Sequence, residues 1–315
     1  MASVVATDQV RAGVELALRG RKADVRGLLF RMLLVLTLLL SLLFLVVLLA
    51  TTLVEAWPVL AERGLDFVTS DTSSLASRAG VRQGVVGSFI LIVFVVAVAL
   101  PLGVGAAVYL QEYARDTRLN RLLIANIRNL AGVPSVVYGI LGLVVFVQAL
   151  RPITGNASSG RSYIAGGLTL SVLVMPILIL IVMEALRAVP TSVREAAYGV
   201  GATRWEVVRS HVLPYAAPGM FTGVILSLAR AFGETAPLLL VGAVTGYLST
   251  PGGRNPLEIL QGQYTALPTL VFSWTRFLGE EWRANTAAAI VVLLVAILAV
   301  NLVAILLRNR YERTW

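Results

Sequence analysis

The sequence predicts an all-α integral membrane protein with six transmembrane helices. Of its 315 residues, 57% are hydrophobic and only 14% charged, and the mean hydropathy is +0.84. A soluble domain needs more surface charge than that, so the expected solvent is a bilayer. Six apolar runs recur, at 28–54, 84–110, 130–150, 164–186, 219–246 and 287–307. Each is near the length of about 20 residues that a helix needs to cross the hydrocarbon. Isolated strands are excluded, because lipid leaves their backbone groups without partners.

Residues 1–27 form an N-terminal tail with Arg19, Arg21, Lys22 and Arg26. The run 28–54 is too long for the core of a cleavable signal peptide and reads as a retained first span. Residues 55–83 make an extracytoplasmic loop, 84–307 a core with five further spans, and 308–315 a C-terminal tail. The third and fourth runs contain Gly132, Pro134, Gly139, Gly142, Gly166, Gly167 and Pro176, so counts of five or seven stay open. The long connection 247–286 carries a Pro251-Gly252-Gly253 turn signal and an aromatic stretch from Tyr264 to Trp274. Two readings of that stretch stand side by side: a re-entrant or interfacial element, and an ordered loop packed at the membrane surface.

Lys and Arg in the connections set the orientation. With the N-terminus inside, the tails and inner loops hold sixteen of them and the outer loops eight. Both termini, and the segment 190–214, are therefore expected in the cytoplasm of a multi-pass inner (plasma) membrane protein.

Composition also excludes chemistries. There is no cysteine and His211 is the single histidine, which leaves no thiolate or histidine metal cluster. No G-x-x-x-x-G-K-[ST] pattern occurs, so the chain is not expected to bind ATP by itself. No Ser-His-Asp arrangement is evident around His211. The net charge of +9 is spread over short segments between apolar runs, which fits topology and not nucleic-acid binding.

The segment 190–214 reads as a two-helix element. Ser192 and Glu195 have capping-box spacing, and so do Thr203 and Glu206. Gly199 and Gly201 break the first helix, and the second is expected to run to Pro214. Ala196, Ala197 and Ala202 keep the region between them small, so another surface can approach. This element resembles the EAA loop of ABC-importer permeases. Glu195, Ala196, Ala197, Gly201, Leu213 and Pro214 fall on that pattern, while His211 stands where the family has an apolar residue. The resemblance implies that Glu195, Ala196, Ala197 and Gly201 couple to a cytoplasmic ATPase. It also implies the type I importer permease (MetI-like) fold.

Arg230 and Glu234 interrupt the fifth run. A mid-membrane charge costs about 2.5–3.5 kcal/mol on insertion scales, and two opposite charges four residues apart on a helix can pair. One reading makes Arg230 a cationic station for an anionic cargo, with Glu234 holding it and tempering its affinity; the other makes the pair a structural lock. Arg230-Ala231-Phe232-Gly233-Glu234-Thr235-Ala236-Pro237 is similar to a stretch of PstA-type phosphate-importer permeases. Residues 109–113, 132–139 and 264–268 agree with that family.

The resemblance implies a pathway at Arg230, Glu234 and Thr235. It also implies a heterodimer with a homologous partner permease, two ATPase subunits that bind ATP and Mg, an extracytoplasmic phosphate-binding protein, and inorganic phosphate as cargo. No cofactor is expected on this chain. Sulfate and molybdate permeases share the architecture, so another oxyanion is the alternative cargo, with a non-transporting membrane sensor or scaffold behind it. Tyr109, Tyr113 and Tyr138 read as interfacial aromatics surrounded by lipid. Glu112 reads as a solvated or interfacial charge, and Glu184 as a partner for Arg187 or Arg194. Gly103 and Gly105 read as helix-packing positions.

Overall fold

The computed structural model describes residues 25–155, 158–244 and 255–311. Every regular element among the described residues is helical. Helix α1 (Val25–Arg63) and α2 (Leu65–Thr69) are followed by α3 (Arg82–Val108), which widens into a π-helical turn at Tyr109–Tyr113. Next come α4 (Arg118–Ala131) and α5 (Ser135–Gly142), the latter continuing as a π-helical stretch at Leu143–Ala149. The short α6 (Arg151–Thr154) leads to α7 (Tyr163–Arg187). The segment after α7 forms α8 (Thr191–Gly199) and α9 (Arg204–Val207), then a π-helical turn at Val208–Val212 that runs into α10 (Leu213–Gly233). The chain closes with α11 (Ala236–Val241), α12 (Pro256–Gln261), α13 (Leu267–Trp274) and α14 (Glu280–Tyr311).

Five of these helices are long and apolar enough to cross a membrane, and a sixth span results if the bent pair α4–α5 is counted as one. The expected third span, 130–150, is cut short. Pro134 lacks a backbone donor and disfavours helical geometry at Val133, so the chain turns through 102° between α4 and α5. The arginine-bearing loop before it is itself a helix. Thr117 caps α4 by accepting the Asn120 N–H. Ile124 and Ile127 pack against the body, while Leu119, Leu122, Leu123 and Leu130 stay exposed.

Among the described residues, those from 25 to 52 form one unit and those from Leu53 onward a second. In the first, every described residue from Val25 to Thr51 is exposed, although most are Leu, Val or Phe. A helix apolar on all sides belongs in lipid or against other protein.

In the second unit α3, α7 and α10 form the centre. Around Leu91, Val95, Leu170, Val174 and Phe232 lies one buried cluster. Nearer the hairpin α8–α9, Ala107, Leu178, Val182, Leu186, Val207 and Val212 form another. At the opposite end Phe67, Val81, Leu270, Trp274 and Ala288 form a third. Gly103 lies buried where a Cβ would meet Leu178 at 2.7 Å, as expected of a packing position, whereas Gly105 has open space around it.

The aromatic stretch is not a surface loop. Tyr264, Leu267 and Trp274 are at most 2% exposed. The Leu267 N–H donates to Ser88 Oγ at 2.8 Å, and Tyr264 Oη donates to the Leu238 carbonyl at 3.2 Å. A side chain at Gly87 would place its Cβ 2.0 Å from the Thr265 carbonyl oxygen, so the segment seats only because position 87 has none. Gly87→Ala is therefore expected to displace this segment at a cost of about 1–3 kcal/mol. Thermal unfolding in detergent checks this through a lower midpoint; an unchanged midpoint would show that the segment is not held by α3.

Candidate functional site

Two regions gather the residues singled out by the sequence, and they lie at the two ends of one helix. The first is the C-terminal end of α10. That helix stops at Gly233; Glu234 follows in extended geometry (φ −74, ψ 123), and α11 starts two residues later with Pro237 in its first turn. The run 219–246 is thus two helices and not one. The break comes before Pro237, which sits where a missing N–H leaves no bond unmade. Among the described residues, Arg230 Nε lies 3.3 Å from Glu234 Oε1, with the side chains 38% and 17% exposed. The pair forms although Glu234 is no longer on the helix. Thr235 continues the break (φ −107, ψ −48). Opening a helix here leaves carbonyls of its last turn without helical partners, which a membrane tolerates only beside protein or water.

This break is held from the far side. The buried Tyr264 hydroxyl grips the Leu238 carbonyl of α11, and the Val244 N–H donates to the Tyr264 carbonyl at 2.8 Å. Burial pushes the Tyr264 phenol well above the usual tyrosine range, so it stays a neutral donor.

The second region is the hairpin α8–α9. Gly201 takes φ +86, a left-handed conformation that L side chains rarely adopt, and this lets the chain reverse between the two helices. The Thr203–Glu206 capping box forms as expected: Thr203 N–H donates to Glu206 Oε2 at 2.7 Å, and Glu206 N–H to Thr203 Oγ1 at 3.4 Å. The Ser192–Glu195 box does not form. Pro190 occupies the N-cap, so Ser192 is already inside the first turn and has no free N–H to cap. Nor does the second helix end at Pro214; it continues through the π-helical turn into α10.

That turn also accounts for His211. One extra residue in the turn advances the helical register, so His211 is exposed and Val212 is buried in its place. Of the residues expected from the sequence to couple to an ATPase, Glu195, Ala196 and Gly201 are exposed, whereas Ala197 is 4% exposed and packs inward. Tyr198, Val200 and Trp205 leave 47%, 85% and 57% of their surface uncovered beside them. Large apolar side chains left open around a polar turn mark a surface that other protein covers.

One feature escaped the sequence. Glu112 is not a solvated charge: its side chain is 9% exposed and pairs with Arg194 at 2.7 Å. Arg194 also donates to the carbonyls of Val189 (2.7 Å) and Leu186 (2.9 Å). Arg204 donates to the Glu112 carbonyl and lies over the Tyr113 ring, 5.0 Å from its centre, so Tyr113 is a stacking platform as well as an interfacial ring. The partner of Glu112 lies 82 residues away in the chain. Glu184 pairs with Arg187 at 3.2 Å, both exposed.

A multi-span helical bundle with a charged pair at a helix break and an exposed hairpin at the far end of the same helix defines a membrane transport subunit. Residues 99–315 match the family described as binding-protein-dependent transport system inner membrane component, and the chain belongs to it. It is thus an ABC-transporter permease component, a class of membrane subunit whose ATPase is a separate chain.

The chain is 33% identical to the probable ABC transporter permease protein YqgI of Bacillus subtilis over 59% of its length, and spans about three fifths (60%) of that relative. It is 30% identical to the phosphate transport system permease protein PstA 1 of Mycobacterium tuberculosis, covering 73% of this chain and 70% of that one. To PstC of Mesorhizobium japonicum it is 29% identical, covering 76% and 77%. Among solved structures, the MetNI methionine ABC transporter in an inward-facing conformation shares the fold, with a TM-score of 0.52, 20% identity, and 74% and 95% of the two chains covered.

Proposed function

We propose that this chain is the transmembrane permease subunit of an ATP-driven importer of inorganic phosphate. The observation that carries the reading is the Arg230–Glu234 pair at the opened end of α10. An arginine presents planar donors suited to a phosphate or sulfate oxyanion. Glu234, four residues on, competes for the same guanidinium, so a cargo anion is held weakly enough to leave. Thr235 adds a hydroxyl at the break. The phosphate-permease names of the relatives support phosphate as the oxyanion, and Ala236-Pro237 favours the A-type subunit within that system.

The assembly is a heterodimer with a homologous partner permease, two ATPase subunits below it and an extracytoplasmic phosphate-binding protein above. Glu195, Ala196, Ala197 and Gly201 contact the ATPase, and ATP and Mg bind there. Lipid covers the exposed apolar helices. The arginine distribution puts both termini and the hairpin in the cytoplasm of the inner membrane. The domain plan is a tail to residue 27, a first span over 28–54, an outer loop over 55–83 and a permease core over 84–307. A helix running unbroken from the hairpin to the ion pair gives ATP-driven closure a direct route to the cargo station.

Reconstitution in liposomes with the partner permease and ATPase tests the reading. ATP-dependent phosphate uptake is expected, unaffected by excess sulfate. Competition by sulfate would move the cargo to another oxyanion, and absence of any anion uptake would favour a non-transporting scaffold.

A further inference from the structure

The hairpin α8–α9 is bonded through the backbone to α7 at one end and to α10 at the other. No such continuity joins it to α3, whose helical run ends before Ala114. Side chains alone make that connection. Arg194, on α8, reaches across to Glu112 in the last turn of α3, and both are largely withdrawn from solvent. Two further hydrogen bonds fix the same guanidinium to the carbonyls of Leu186 and Val189, where α7 ends. From α9, Arg204 takes the Glu112 carbonyl and stacks on Tyr113. Both helices of the hairpin therefore grip one residue, Glu112, from two directions.

We infer that the Glu112–Arg194 pair, braced by Arg204, is the joint through which displacement of the hairpin reaches α3, a positioning role that rests on the permease reading above. A surface ion pair could not transmit displacement, since water competes for it and its side chains reorient freely. A buried pair with further hydrogen bonds to its arginine yields only by leaving a charge unpaired. Glu112 also lies in the π-helical turn that closes α3, a geometry frequent at functional sites. With the joint closed, α3, α7 and α10 move together when the hairpin is pushed. With it open, displacement of the hairpin reaches α3 only through apolar packing, and less of it arrives.

The chain has no cysteine, so a double variant Glu112→Cys/Arg194→Cys gives it one addressable thiol pair. The complete complex is reconstituted in liposomes, and phosphate imported per ATP hydrolysed is measured beside co-purification of the ATPase. With the thiols free, the ATPase is expected to remain bound and active while the ratio falls by about tenfold. Bridging the thiols with a flexible, reducible bifunctional reagent is expected to restore the ratio, and reduction to lose it again. Glu112→Gln, which keeps shape and removes charge, is expected to fall between. An unchanged ratio with free thiols, or a bridge that fails to restore it, overturns the inference. Failure of the unsubstituted complex to import phosphate at all would instead overturn the permease reading.

Discussion

Arg230→Gln is expected to lower ATP-dependent phosphate uptake by roughly a hundredfold while the complex still assembles. A hydrogen bond to a charged group contributes about 1.5–3 kcal/mol, which is roughly ten- to more than a hundredfold in binding. Gln keeps an N–H donor group on a shorter side chain but carries no charge, and it leaves Glu234, 17% exposed, without its partner. Phosphate uptake by liposomes, measured beside co-purification of the ATPase, reads this directly. The opposite change, Glu234→Gln, removes the competitor for the guanidinium; KM should fall, and kcat with it, because the anion leaves more slowly. Normal uptake by Arg230→Gln would make the pair a structural lock.

Gly201→Ala is the second change with a large expected effect. The position has open space, so a methyl group meets nothing. The penalty is conformational: at φ +86 an L residue pays about 1–2 kcal/mol. The chain escapes by changing φ, which rotates α9 against α8 and separates Tyr198, Val200 and Trp205. ATPase co-purification should fall several-fold, and transport with it. Gly201→Asn, which enters the left-handed region more readily, should retain more of both. Equal loss in the two variants would show that side-chain bulk matters and not backbone geometry.

Much of the fold was legible because lipid imposes a simple requirement: long apolar runs become helices. What failed did so at residues whose role depends on distant chain. Pro134 was visible as a breaker, yet only the packed body shows that it turns the chain by 102° and makes a helix of the loop before it. The run 219–246 reads as one span, yet it breaks at Glu234–Thr235, ahead of Pro237. Ser192 and Thr203 have the same capping spacing and opposite outcomes, because Pro190 had already taken the capping position for α8. The pairing of Arg230 with Glu234 was readable because it is local. Glu112 with Arg194 was not, since no spacing rule links residues 82 apart. Nor does any local pattern foretell the grip of Tyr264 on Leu238, 26 residues away.

The shortness of α5 bears on the energy of moving an ion. Ser135–Ala149, with its π-helical part, is 15 residues long. At about 1.5 Å per residue it spans about 22 Å, against about 30 Å of hydrocarbon in an ordinary bilayer. A span that short draws water and headgroups toward its ends or thins the lipid around it. α11, which opens directly after the Arg230–Glu234 pair, packs along this helix. Such thinning lowers the low-dielectric barrier beside the Arg230–Glu234 pair, so that in the proposed transport cycle an anion handed across there leaves water for a shorter distance.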